Sequence, residues 1–294
     1  MPRISFLLFA VLFVGLPAIP LHAAAGKPNI LFIMSDDHAY QAISAYGSKL
    51  NKTRNIDRIA ATGMRFERCY VTNSICGPSR ACLLTGKYSH KNGHYSNERE
   101  FDVEQQTFPK LLQQAGYQTA LIGKWHLGTE TMPTGFDHWL ILQGQGFYYQ
   151  PRMISSLGPV ELVGYATELI TEQSLAWLEH GRDREKPFLL MMHHKAPHRP
   201  WDPAPRHLGD YAETTFAEPA TLFDDYQHRA SAAKKAEMRI ADHMVTIGPD
   251  LKAWDQTRLN TKRQSQERNW FYNRMTVPQE KAWKKSYLRK NEPF

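Results

Sequence analysis

The sequence predicts an α/β protein with a mainly parallel sheet flanked by helices, and two observations support that prediction. First, short apolar runs alternate with segments whose apolar residues recur at helical spacing between residues 28 and 193. Alternation of this kind is typical of βαβ units, in which a helix links two parallel strands. Second, charged or reactive residues directly follow several of the apolar runs. Such residues are expected to meet at one edge of the sheet.

The apolar runs predict four strands, and each predicted helix ends at a glycine suited to a C-terminal cap. The predicted strands cover residues 28–35, 64–72, 117–123 and 186–193. The predicted helices cover residues 55–62, 78–85, 107–115 and 166–180. From about residue 204 the apolar pattern weakens, and residues 218–244 predict a loop that leads into a helix.

The first 25 residues are predicted to be a secretory signal. They carry one charge, at Arg3, an apolar run over residues 6–16 and three alanines at residues 23–25 that suit a signal peptidase. The run is too short to cross a bilayer, and no later apolar segment is long enough to do so. We therefore expect no membrane span and a mature chain that begins near Gly26 and is secreted or periplasmic.

The net charge of +7 is concentrated in residues 251–294, which contain eleven Lys or Arg and four Asp or Glu. This basic segment is interpreted as a solvated surface, with attraction of a polyanion such as a sulfated glycan as the alternative. It lacks the regular aromatic interleaving of a nucleic-acid platform, so no nucleic-acid partner is predicted. The three cysteines are too few for a disulfide scaffold, and Cys69 and Cys82 are expected to be small buried residues.

Four polar clusters are placed near predicted strand ends. They are residues 35–38 (SDDH), Cys76, residues 124–126 (KWH) and residues 194–198 (HKAPH). In open α/β sheets the ligand crevice lies beyond the carboxyl ends of the strands. The four clusters are therefore expected to converge there, although they are far apart in sequence.

Two of these clusters point to a cation and an anion. Asp36 and Asp37 are adjacent carboxylates, which suit a hard cation such as Ca²⁺ or Mg²⁺; the alternative is an exposed loop or helix-cap pair. Cys76 precedes a predicted helix start, where free N–H groups favour an anion. It is either a reactive thiol or a buried structural cysteine. Arg80 follows one helical turn later and could grip an anion with two parallel hydrogen bonds.

The remaining clusters add cations and proton carriers. Lys124 and His126 face the same side of an extended segment, which pairs a fixed charge with a group that titrates near neutral pH. The histidines around Lys195 lack the spacing of a helical zinc motif. This inventory suits a tetrahedral oxyanion ester, phosphate or sulfate. The sequence contains no Gly-rich phosphate loop of the nucleotide-binding kind.

The motif CGPSRACLLTG closely resembles the signature of type I sulfatases, in which the cysteine is oxidised to formylglycine. The segments PNILFIMSDDH, GKWHLG and KAPHRPW are similar to further sulfatase motifs and occur in the same order, so the resemblance covers residues 28–202. The chain looks most like bacterial N-acetylglucosamine-6-sulfatase-type enzymes. The resemblance implies the alkaline-phosphatase-like α/β fold, a Ca²⁺ ion, a sulfated carbohydrate substrate, and a formylglycine-generating enzyme as partner during maturation.

The resemblance also implies roles for the metal and nucleophile positions. Asp36 and Asp37 resemble the first two Ca²⁺ ligands. Cys76, once converted to formylglycine, would contact the ion and supply the nucleophile. An aldehyde hydrate offers one hydroxyl for attack on sulfur and a second that expels sulfate and restores the aldehyde.

Five further positions take their roles from the same resemblance. Arg80 and Lys124 would hold the hydrate and neutralise sulfate charge. His126 resembles the histidine beside the hydrate, a candidate base. His198 resembles the histidine that contacts sulfate and protonates the leaving alcohol, and Lys195 is assigned to substrate binding.

The sequence departs from the family after His198. No Asp followed by Asn or Gln and then Gly occurs downstream; Asp224 is followed by Asp225, and Asp255-Gln256 by a threonine. We therefore expect about half of the Ca²⁺ ligands. Residues 26–250 are interpreted as a partial catalytic domain and residues 251–294 as the start of a missing remainder, as in a truncated gene. The alternatives are a phosphonate or phosphate-ester hydrolase of the same superfamily and an inactive fragment.

Overall fold

The computed structural model describes residues 26–237 and 273–287. The predicted signal at residues 1–25, the predicted boundary near residue 250 and the Asp255-Gln256 pair lie outside the described residues, so these predictions stay predictions. Within the described part, no helix is both long enough and apolar enough to span a membrane.

The centre of the fold is a six-stranded mixed sheet with the strand order β1-β6-β2-β3-β4-β5. Strands β1, β6, β2 and β3 run parallel to one another, whereas β4 and β5 are antiparallel additions at one edge. The strands are β1 (Ile30–Asp36), β2 (Gln118–Lys124), β3 (His138–Leu142), β4 (Arg152–Ser155), β5 (Gly158–Glu161) and β6 (Phe188–Pro197). This architecture confirms the predicted α/β class with a mainly parallel sheet.

The described α-helices agree with the four predicted from glycine-terminated patterns, place one more, Ser231–Lys235, in the segment predicted as a loop that leads into a helix, and add two, Ser89–Asn92 and Val277–Tyr287. They are α1 (Arg54–Thr62), α2 (Cys76–Thr85), α3 (Ser89–Asn92), α4 (Phe108–Gln114), α5 (Ala166–Ala176), α6 (Ser231–Lys235) and α7 (Val277–Tyr287). Gly86 ends α2 with a φ of 65°, a left-handed conformation that a Cβ would strain. Helix α5 continues into a π-helical turn, Trp177–Gly181.

The helices cover both faces of the central strands because the strand residues alternate between them. Leu121 of β2 and Leu189 of β6 face α2 and α4 in one apolar cluster. Ile122 and Leu190, one residue further along each strand, face α5 in the other cluster. Strands β2 and β6 therefore lie in the middle of three layers, which is why each carries apolar residues on both faces.

Strand β1 differs because only one of its faces is covered. Ile30 and Phe32 pack on the cluster that contains α2, but Leu31 and Ile33 on the opposite face are 51% and 49% exposed. Beyond β1, the described residues place no further strand beside it in the sheet. β1 is thus an edge strand with one solvent-facing apolar surface.

The strand predicted at residues 64–72 is wrong. These residues are extended or bent without pairing to another strand, and Met64, Phe66 and Tyr70 are exposed. Apolar alternation shows that a segment can fit a sheet, but a strand also needs a neighbour for its backbone hydrogen bonds. Cys69 lies in this segment and is exposed rather than buried, and all three cysteines are unbonded.

Candidate active site

The predicted clusters meet where β1, β6 and β2 end. Asp36 is the last residue of β1, Lys124 is the last of β2, and Lys195 lies near the end of β6, between them in the sheet. Helix α2 brings Cys76 and Arg80 to the same place from one face of the sheet. The site is therefore assembled by parallel strand ends and one helix start, as the crevice rule for α/β sheets predicts.

A buried ion pair joins the first two strands. Lys124 donates from Nζ to Oδ2 of Asp36, and Arg80 Nη2 lies 3.6 Å from the same oxygen. Burial raises the pKa of Asp36, but Lys124 and Arg80 outweigh it and hold that pKa below its usual value of 3.8. Lys124 also donates to Oε1 of Gln145 at 2.6 Å. The Asp36 carboxylate is therefore ionised and fixed in place at neutral pH.

Arg80 is almost fully buried, and its guanidinium is only partly satisfied. Nη1 donates to the carbonyl oxygen of Lys124 at 2.7 Å and lies 3.2 Å from Nδ1 of His193. Nε and Nη2 have no hydrogen-bond partner in the part of the chain that is described. Buried donors of a charged group are costly to leave unpaired, so the free donors fit an anionic ligand.

Cys76 is the first residue of α2 and lies beside these cations. The Asn97 side chain contacts it, with Nδ2 at 3.3 Å from Sγ, and Oδ1 of Asn97 accepts a hydrogen bond from the Gly77 N–H at 3.0 Å. A Cβ on Gly77 would come within 2.8 Å of Asn97 and His94. Burial lowers the pKa of both Arg80 and Lys124, and negative charge at Cys76 would oppose that shift.

His126 follows β2 with a φ of 52°, in the left-handed region. Burial, and then the charges of Lys124 and Arg80, lower its pKa to about 4. The imidazole is therefore neutral at pH 7 and able to accept a proton. The backbone that leads from β2 to His126 passes close to β6 at Gly123. A Cβ added there would come within 1.9 Å of the His193 carbonyl oxygen.

Lys195 and His198 form the third side of the site. Burial, with a smaller repulsion from Lys124, lowers the pKa of Lys195 to about 8, and its Nζ donates to the carbonyl oxygen of Arg199 at 3.0 Å. His198 Nε2 lies 3.8 Å from Oδ2 of Asp37, and Nδ1 lies 2.7 Å from the Arg199 carbonyl oxygen. Burial is also the main reason that the pKa of His198 is lowered.

The acidic pair has the donor chemistry that Ca²⁺ prefers, but it supplies only part of a ligand set. Asp36 and Asp37 offer carboxylate oxygens, and Ca²⁺ takes about six to eight oxygen ligands. Among residues 26–237 and 273–287, no group of three or more His, Cys, Asp or Glu side chains is arranged to hold a metal ion. The residues present fit part of a calcium site, with Asp37 half open to solvent beside His198.

Sequence reasoning missed four residues of this site. Gln145 binds Lys124, His193 lies against Arg80, Asn97 contacts Cys76, and the Tyr148 ring lies 5.0 Å from Lys195 Nζ. Gln145 had a detectable signal, since it lies between Gly144 and Gly146 directly after the apolar run of β3. The other three reach the site through tertiary packing alone.

The chain matches the family model described as Sulfatase over residues 28–246 and therefore belongs to the sulfatase family. It is 48% identical over 293 residues to the N-acetylglucosamine-6-O-sulfatase of Bacteroides thetaiotaomicron, an alignment that covers 98% of this chain and 51% of that protein. It is 29% identical over 248 residues to the N-acetylgalactosamine-6-sulfatase of Rattus norvegicus, covering 71% of this chain and 47% of that one.

A solved structure supports the same placement. It shows a protein in complex with its substrate D-glucosamine-2-N,6-O-disulfate, with a TM-score of 0.84 and 49% identity, and the match covers 90% of this chain and 53% of that one. The predicted sulfatase resemblance and alkaline-phosphatase-like fold are thus confirmed. The chain spans about half the length of the curated relatives it matches.

Proposed function

We propose that this chain carries the catalytic centre of an exported, secreted or periplasmic, sulfatase that removes the 6-O-sulfate of N-acetylglucosamine or of a related sulfated glycan. The observation that carries the proposal is the set of three buried cations, Arg80, Lys124 and Lys195, gathered beside Cys76 at the strand ends. Similarity to a protein named N-acetylglucosamine-6-O-sulfatase supports the choice of sugar.

The cations of the site are matched to a bound sulfate ester. Arg80 has two buried donor nitrogens without a hydrogen-bond partner among the described residues, and Lys124 and Lys195 are largely desolvated, so their attraction for an anion is stronger than in water. Charge on the sulfuryl oxygens during transfer would be stabilised by donors already in position. Asp36 holds the Lys124 ammonium group in that position through a buried ion pair.

The proposal includes a nucleophile formed from Cys76 and a bound Ca²⁺ ion. Formylglycine derived from Cys76 would supply an aldehyde hydrate as nucleophile, and Ca²⁺ held in part by Asp36 and Asp37 would lower the pKa of its hydroxyl. Asn97 Nδ2 points at the side-chain atom that carries this chemistry and would orient it.

Two histidines divide the proton transfers. His126 is neutral because of its pKa of about 4 and accepts a proton beside Cys76. His198 donates a proton to the leaving alcohol, a role that needs its acid form. Burial lowers the pKa of His198, so the acid form depends on the negative charge of a bound sulfate ester, which raises the pKa of an adjacent imidazole.

The proposal is tested with the 294-residue chain made together with a formylglycine-generating enzyme and supplied with Ca²⁺. Sulfate release from N-acetylglucosamine-6-sulfate is measured, and mass spectrometry establishes the state of Cys76. We expect Cys76→Ala to lower turnover by at least about 10⁴-fold, because it removes the nucleophile. Cys82→Ala is the matched control, since Cys82 lies in the same helix and contacts Ser89 and Asn92 instead.

Two results would contradict the proposal. A chain with fully oxidised Cys76 and bound Ca²⁺ that releases no sulfate would be an inactive fragment. A strong preference for an aryl phosphate over the matching aryl sulfate would reassign the site to a phosphonate or phosphate-ester hydrolase of the same superfamily.

A further inference from the structure

Three buried tyrosine hydroxyls reach across the fold to the segment that follows β6. Tyr148 donates to the carbonyl oxygen of His198 at 2.6 Å, Tyr165 to that of Asp202 at 2.7 Å, and Tyr149 to that of Pro203 at 2.5 Å. We call these three residues the tyrosine cluster. They flank the β4–β5 hairpin, so a hairpin at one side of the sheet holds the segment that carries His198.

The tyrosine cluster is a rigid set of permanent donors. The rings of Tyr148 and Tyr149 each lie 5.6 Å from that of Tyr165, stacked in the first case and edge-on in the second. Burial raises the pKa of all three above its usual value of 10.0. The hydroxyls therefore keep their protons throughout the neutral range and donate continuously to the carbonyl oxygens.

Tyr148 differs from the other two because it contacts both Lys195 and His198. Its hydroxyl holds the His198 backbone, and its ring faces Lys195 Nζ at 5.0 Å. The His198 N–H donates to the carbonyl oxygen of Lys195 at 3.0 Å, and both side chains contact the Arg199 carbonyl oxygen. Tyr148 thus fixes the backbone of His198 and the ammonium group of Lys195.

We propose that Tyr148 is a positioning residue that sets Lys195 and His198 at a fixed separation, so that a bound sulfate group meets both at once. The proposal rests on the proposed function, because it takes these two residues as sulfate contacts. It differs from simple packing in one respect: loss of the Tyr148 hydroxyl affects sulfate binding beyond its effect on the stability of the fold.

The test compares two single hydroxyl deletions in the full chain, Tyr148→Phe and Tyr149→Phe. Each removes a buried hydrogen bond to a carbonyl of the same segment and keeps the ring, and Tyr149→Phe also removes a contact with Trp283, so we expect Tm to fall at least as far in Tyr149→Phe as in Tyr148→Phe. Inorganic sulfate is the probe, and its affinity is measured by calorimetry. We expect Tyr148→Phe to weaken sulfate binding about tenfold and Tyr149→Phe by less than about twofold. Tyr148→Leu, which also removes the ring from Lys195, should weaken it further.

Amide exchange tests the role of Tyr148 without relying on the proposed function, and turnover adds a second measurement if the chain is active. The His198 amide, bonded to Lys195, should exchange faster in Tyr148→Phe than in Tyr149→Phe, whether or not the chain hydrolyses sulfate esters. In an active chain KM should rise, because Lys195 and His198 contact the sulfate group, and kcat should also fall, because His198 is the proposed proton donor. Equal losses of sulfate affinity in the two variants, or unchanged exchange at His198, would make Tyr148 a packing residue and overturn the proposal. Absence of turnover in the parent chain would refute the proposed function alone.

Discussion

Strands β1 and β2 both end at the site with a charged residue, but they are built in different surroundings. In β2 six of seven residues are buried, and Lys124 at its end is completely shielded from solvent. In β1 partly buried and exposed residues alternate, and the acidic pair continues from buried Asp36 to exposed Asp37. The cationic half of the site is therefore preorganised inside three layers of structure, whereas the acidic half lies at an edge.

The difference shows that burial gives the neighbouring carboxylates of Asp36 and Asp37 different roles. A buried charge must have its partner within the fold, so Asp36 is bound to Lys124 and Arg80. An exposed charge is hydrated and free to take a ligand, as at Asp37. Each of the following substitutions would sharpen or break this comparison.

The largest expected effect follows from removing the cation of the buried pair. Lys124→Met leaves the Asp36 carboxylate buried with Arg80, at 3.6 Å, as its remaining ion-pair partner among the described residues, and we expect the free energy of unfolding to fall by about 3–5 kcal/mol. Asp37→Asn removes an exposed charge and should change it by less than about 0.5 kcal/mol. Urea unfolding without added Ca²⁺ measures both. Similar losses of unfolding free energy in the two variants would show that Asp37 at the sheet edge depends on an ion pair as much as buried Asp36 does.

The second effect is a pH dependence carried by His193. Burial, and then Arg80, lowers its pKa to about 3, below the usual 6.5. Between these two values the unfolded chain binds the proton and the folded chain does not, so stability is full above pH 6.5 and falls as the pH drops toward 3. One such group contributes a slope of about 1.4 kcal/mol per pH unit.

Comparison with His193→Gln isolates that slope from the other histidines. Unfolding measured at several pH values between 6.5 and 4.5 should show a shallower pH dependence in the variant than in the parent. An unchanged slope would mean that the ring is reached by solvent and that this part of the interior is less closed than β2.

The smallest expected effect concerns the uncovered face of β1. Leu31 is half exposed there, so Leu31→Lys should change the free energy of unfolding of this chain by less than about 0.5 kcal/mol. Thermal and urea unfolding of the purified chain provide the measurement. A loss above about 2 kcal/mol would show that the face is covered in solution and that β1 is not an edge.

Sequence patterns predicted three of the four parallel strands, β1, β2 and β6, because each contains a continuous apolar run and the predicted helices end at glycines. The runs around Leu121 and Leu190 illustrate this. Strands β3, β4 and β5 were not predicted, since each has only four or five residues and the antiparallel pair lacks a long apolar run. The segment around Phe66 failed in the opposite way: its residues suit a strand, but no described neighbour pairs with it.

The candidate site was predictable to the extent that its residues lie in short motifs at element ends. Asp36, Cys76 and Lys124 were found in this way, and the fold brings them together. His193 and Tyr148 were not found, because an apolar strand with a terminal histidine, or a tyrosine in a loop, normally reports packing. Their relation to Arg80 and Lys195 arises only when distant segments meet.

Part of the packing that supports the site comes from helix α7, which is synthesised long after the strands of the sheet. Trp283 is completely buried in the same apolar cluster as Tyr148, Tyr149 and Tyr165, and Gln279 binds Gln150. Residues more than a hundred positions apart therefore close a large loop, whose entropic cost is met late. A nascent chain would have most of its sheet available before the support of Lys195 and His198 is complete, so those two residues are expected to order last.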